Sequence, residues 1–165
     1  MFMKQERKRA AEAAGRLYFF LLSDAYREFR EAEVRWECYA ASQYHFDDGV
    51  NFILEVVGPI VPVDHPIWAM YSEKVAETGA RVALAEQRRV EKLGALKALH
   101  QAFLRFCRDK RVDPSQVAGS DRAFPDHIAA ALKDAAVEAD ARVAEETYRL
   151  LNEEWESYAA VGDRG

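Results

Sequence analysis

Cysteine is scarce in this 165-residue chain, and two thiols exclude a disulfide framework. Glycine (8) and proline (5) are few as well, which disfavours an all-β fold with its many turns. Long apolar runs are missing. The run Leu17-Tyr18-Phe19-Phe20-Leu21-Leu22 near the start covers only six residues. A secretory signal needs a longer stretch and a small-residue cleavage site, and a membrane span needs roughly 20 residues. A basic surplus is also lacking: 23 basic against 28 acidic residues give a net charge of −5, which argues against a general nucleic-acid binder. There is no glycine-rich phosphate loop, no Gly-x-Ser-x-Gly elbow and no His-Glu-x-x-His pair. Six serines and four histidines leave few members for a hydrolytic triad. These absences lead us to expect a cytoplasmic, non-catalytic protein with reduced thiols, no cofactor and no membrane contact.

What is present is helix-forming sequence. Twenty-eight alanines and an apolar fraction of 50% favour helices, where alanine costs least. Sixteen arginines against seven lysines, with so much alanine, point to a GC-rich bacterial or phage genome. From Lys4 to Ala41, apolar or small residues recur at steps of three and four: Ala10, Ala14, Leu17, Leu21, Ala25, Phe29, Ala32, Trp36 and Tyr39. A helix over 4–41 would span roughly 57 Å, too long for a small globular core and suited to an elongated bundle or a coiled-coil-like hairpin. Residues 42–65 break the pattern with Asp47-Asp48-Gly49, Gly58-Pro59 and Pro62, and read as a short helical or irregular insertion. Asp64 then offers a cap and Pro66 a first turn for a second helix over 66–110, whose last turn is basic. After Gly119-Ser120, with a cap from Ser120 or Asp121, a third helix is expected over 125–160, and the tail from Gly162 should fray. The fold class is therefore all-α: one domain, residues 1–165, forming an elongated antiparallel bundle of three long helices.

The loop positions imply a register. Numbers of facing residues should add to roughly 107 between helices one and two, and to about 234 between helices two and three. Arg89 and Glu146 interrupt the apolar stripes of their helices and fall at one level, so an Arg89–Glu146 pair is predicted. Cys38 and Cys107 lie toward opposite ends, too far apart to bridge.

The apolar run from Leu17 needs cover on more than one side, which a three-helix bundle does not supply. Tyr18, Phe19, Phe20, Leu22 and Tyr26 are therefore candidate contacts for another protein or a second copy. A second aromatic group, Trp36, Tyr39, Tyr44, Phe46 and Trp68, reads first as a satellite core beneath the insertion. The C-terminal helix offers an acidic face, Glu145, Glu153, Glu154 and Glu156, able to bind a basic partner. The function these features suggest is a protein–protein interaction module: an adaptor, assembly subunit or inhibitor. Three alternatives use other residues. A small subunit of a nucleoprotein complex would contact DNA or RNA through Lys4, Arg7, Lys8 and Arg9. A phage or mobile-element inhibitor would set the acidic face against a nucleic-acid-binding complex. A metal-dependent enzyme would gather His45, Asp47, Asp48 and His65, a set matching no metal-site spacing. The simpler reading makes Asp47-Asp48-Gly49 a turn. His100, on an apolar helix face, reads as a core histidine.

Overall fold

The computed structural model describes residues 2–117, 126–134 and 136–162. Regular structure within them is entirely helical: α1 (Phe2–Val57), α2 (Pro66–Lys110), α3 (Pro114–Val117), α4 (Asp126–Leu132) and α5 (Ala141–Gly162). The fold is all-α, with α1, α2 and α5 as its three long packed helices. The expected caps at Ser120 and Asp121, and a start at Pro125, lie outside the described residues.

Several expectations require correction. The first helix does not stop at 41 but runs through Asp47-Asp48-Gly49 to Val57. Along this stretch Trp36, Tyr39, Gln43, Phe46, Val50, Ile53 and Val57 keep alternating steps of three and four, the heptad spacing of a helix paired with another. Pairing along that seam outweighs a local turn preference. The insertion shrinks to residues 58–65. There Trp68 Nε1 donates to the Pro62 carbonyl at 2.8 Å, and His65 caps α2 by accepting from the Ile67 amide at Nδ1 (3.2 Å), in place of the expected Asp64.

The third helix is interrupted. Asp134 Oδ1 accepts from the Ala136 amide at 3.0 Å, ending the α4 run, and Asp140 Oδ1 caps α5 through the Arg142 and Val143 amides at 2.9 and 3.3 Å. Short acids that bind nearby backbone N–H groups compete with helix, and two of them override an alanine-rich stretch.

The chain packs as two compact units: Met1–Phe29 with Glu91–Gly165, and Arg30–Val90. In the first, α1 and α2 are antiparallel. Tyr18 stacks on Phe103 at 3.9 Å, and Lys92 Nζ pairs with Glu28 at 2.9 Å, so facing numbers add to about 120. The later end of α1 accounts for the difference from 107. Against α2, α5 runs in the same direction, not the opposite one. The Asp140 amide donates to the Gly94 carbonyl at 3.0 Å, Arg105 pairs with Glu145 at 2.8 Å, and Phe106 meets the Trp155 ring at 5.8 Å, so numbers rise together along both helices. The segment after Lys110 first carries the chain back to the level of Gly94, roughly 24 Å by helix rise. A register built on a third helix starting at the loop misses that return.

The core of this unit draws on all five helices: Tyr18, Leu22 and Phe29 from α1, Leu93, Leu96, Leu99, Phe103, Phe106 and Cys107 from α2, then Val117, Ile128 and Leu151. Lys97 crosses to the return segment, its buried ammonium donating to the Val137 carbonyl at 2.9 Å. At the end of α2, Arg111 adopts φ 54° and the Val112 amide bonds the Cys107 carbonyl at 2.9 Å, a left-handed helix stop occupied by a non-glycine residue.

The second unit, residues 30–90, is an antiparallel hairpin of α1 from Arg30 onward and α2 up to Val90. Its seam on α2 follows Trp68, Tyr71, Val75, Thr78, Val82, Ala85 and Arg89, again at heptad spacing. The Arg89 guanidinium lies 4.8 Å from the Trp36 ring centre.

Candidate functional site: an apolar helical hairpin

The two units differ in what they bury. Every helix of the first contributes fully buried side chains, whereas in residues 30–90 Ala85 alone is fully buried. Each helix of a hairpin has one neighbour, so its seam residues are covered from one side only. Trp36, Phe46, Ile53, Trp68 and Tyr71 are half-buried, and Tyr44 is 70% exposed. The aromatic group expected to form a satellite core forms no closed core.

Exposure peaks at the turn of the hairpin. Phe52 (66%), Leu54 (44%), Val56 (54%), Ile60 (79%), Val63 (94%) and Met70 (52%) are large apolar residues open to solvent within nineteen positions. At 100° per residue, Phe52 through Val57 surround the helix on all sides, with Glu55 the one charge among them. From Gly49 to Ser72 the chain carries two carboxylates, Glu55 and Asp64, and no lysine or arginine.

The residues expected to contact a partner fare differently. Tyr18 and Leu22 are core residues at 0% and 1% exposure and present nothing to a partner. Phe19 and Tyr26 are half-buried against the core, and Phe20 stands out at 71%. Apart from Phe20, the apolar run on α1 is thus covered by the chain itself, because the segment returning from α2 supplies cover that a simple three-helix bundle lacks. What sequence reasoning missed is the stretch 52–63. Its signal was present: apolar residues around the whole helix with almost no charge, the same criterion applied to residues 17–22.

The acidic face of α5 is partly neutralised. Glu145 pairs with Arg105, and Arg149 joins Glu146 and Glu153. Glu156 is exposed and Glu154 half-buried, and neither has an ion pair among the described residues. The predicted Arg89–Glu146 pair is replaced by local ones: Arg89 binds Glu86 through Nε at 3.0 Å and Nη2 at 2.8 Å, holding that carboxyl below the usual range. Partners three residues away on the same helix cost less ordering than a partner on a separate element. Lys4, Arg7, Lys8 and Arg9 are exposed, and Arg7 donates to the carbonyl of Lys110, supplying a cation at the C-terminal end of α2.

His45, Asp47, Asp48 and His65 do not converge. His45 lies twelve residues before the end of α1, roughly 18 Å along its axis, and His65 lies beyond the turn. Among the described residues no group of three potential ligands gathers. His100 hydrogen-bonds Tyr18 through Nδ1 at 3.0 Å; burial holds its pKa below the ordinary value and raises that of the Tyr18 hydroxyl. Cys107 is buried, its thiol pushed up to about 12 by desolvation and then by Asp113, whereas Cys38 is exposed. An open groove of about 500 Å³ beside α2 and α5 is lined by Gln101, Leu104, Arg105, Arg108 and Glu145 among others. No described helix is long and apolar enough to cross a membrane.

Compared with family models, curated proteins and solved structures, the chain matches none, so a functional reading rests on its own residues.

Proposed function

We propose that the protein is a non-catalytic protein–protein interaction module, an adaptor, assembly subunit or inhibitor, working through the hairpin of residues 30–90. The observation that carries this reading is the contrast in burial: the first unit closes a core, whereas in residues 30–90 large apolar side chains stay open. Folding favours burial of such surface, and soluble chains retain contiguous apolar patches mainly where something binds. Aromatic residues and methionine, both present on the hairpin, are enriched at such contacts.

The test is purification of the full chain from its source cells, wild type against the double variant Phe52→Glu/Val56→Glu. The expected result is a stoichiometric protein companion, whether another protein or a second copy, that the double variant loses. A wild-type chain that is monomeric and unaccompanied, indistinguishable from the variant, refutes the reading.

A further inference from the structure

We propose that the hairpin's partner is a second copy of this chain, the two turn regions packing against each other about a two-fold axis; this rests on the interaction-module reading above. The first argument is area. The exposed fractions of Phe52, Leu54, Val56, Ile60, Val63 and Met70 amount to nearly four fully exposed large residues, roughly 700 Å² at about 180 Å² each. Stable interfaces bury about 600–1,000 Å² on each partner, so two turn regions that cover most of this area supply the size of a small stable dimer.

The second argument is charge. With no lysine or arginine from Gly49 to Ser72, the turn region has nothing to grip phosphate groups or an anionic membrane surface. Its two carboxylates, Glu55 and Asp64, lack the density that steers a basic partner. An apolar surface with so little charge suits another of its kind, and an isologous contact requires a surface complementary to itself. Glu55 is rotated about 100° around α1 from Val56 and about 60° from Phe52 beyond it, so it flanks a contact centred on Val56.

The experiment is light scattering with size-exclusion chromatography, and sedimentation equilibrium, on the full chain from roughly 1 to 100 µM. The expected result is a dimer. Phe52→Glu/Val56→Glu should weaken it at least about tenfold with unchanged far-ultraviolet circular dichroism, since neither side chain is in the core. Phe20→Glu, equally exposed but in the other unit, should leave the dimer intact. A monomer throughout the range overturns the pairing, as does a dimer indifferent to the double variant. A monomer that keeps a companion protein, lost in the double variant, overturns self-pairing alone and leaves the module reading standing. A monomer with no such companion overturns both, as does one that floats with neutral phosphatidylcholine vesicles through Phe52 and Val56.

Discussion

Gly15 sits where α1 presses on the backbone of α3. A Cβ added there would overlap the Val117 carbonyl oxygen and lie 2.8 Å from Val117 Cγ1 and 3.1 Å from the carbonyl carbon. Two effects of Gly15→Ala oppose each other. Alanine raises helix propensity by about 1 kcal/mol relative to glycine. Overpacking a closed core costs about 1–3 kcal/mol. The obstacle is backbone, not the far end of a flexible side chain, so α3 must move and Val117, 6% exposed, must leave its place. The cost therefore belongs to the upper part of its range, and the net effect is a loss of about 1–2 kcal/mol. For a chain of this size that lowers Tm by about 2–8 °C. Gly49 is the control: a Cβ there meets nothing within 4 Å, so Gly49→Ala should raise the stability of its helix by about 1 kcal/mol. Thermal melts followed by circular dichroism give both signs. A Gly15→Ala protein stabilised as much as Gly49→Ala would refute the packing of α3 on α1.

Three further outcomes follow from buried polar groups. Burial holds His100 below its ordinary pKa of 6.5, so the folded protein keeps the imidazole neutral while the unfolded chain takes up a proton. Its contribution is complete above about pH 6.5 and is lost as pH falls toward the folded value; the Tm decline between about pH 7 and 5 should be shallower in His100→Gln. Cys38 should react readily with a thiol reagent in the native protein and Cys107 only after denaturant is added, since its thiol is buried and pushed up to about 12. Two rapidly reacting thiols would contradict the core around Cys107. Lys97→Met leaves the Val137 carbonyl without its donor and should cost about 1–3 kcal/mol. Faster hydrogen exchange at the Asp140 amide, which bonds Gly94 nearby, would accompany it; an unchanged denaturation midpoint would show that the ammonium does not hold the segment.

The legible part of the fold was the part governed by helical spacing. Pro66 and the basic last turn marked α2 at both ends, and steps of three and four marked the stripes of α1 and α2. The end of α1 was not legible, because Asp47-Asp48-Gly49 is a turn in isolation and becomes helix only with α2 alongside. The break before α5 was hidden by alanines whose propensity favours helix, while the decisive events were side-chain bonds from Asp134 and Asp140 to nearby amides. The direction of α5 depended on that break. An unbroken third helix starting after α2 must run antiparallel to it; a chain that returns first can start again in parallel.

The same limit explains why the candidate surface moved along α1. Residues 17–22 and residues 52–57 are both apolar around the helix, and the sequence ranks them alike. What separates them is the number of neighbours. In the first unit, α2 lies on one side and the return segment and α5 supply others, so Tyr18, Phe103 and Phe106 lose nearly all contact with solvent. In the hairpin a single neighbour covers a single stripe, and the same residue types stay half-open in Trp36, Phe46 and Tyr71 or largely open in Tyr44 and Phe52. Periodicity reports which residues of a helix share a face; it does not report how many helices meet that face. An aromatic residue at heptad spacing is core where the chain comes back to cover it. Where the chain does not come back, it stays half-open or open to solvent.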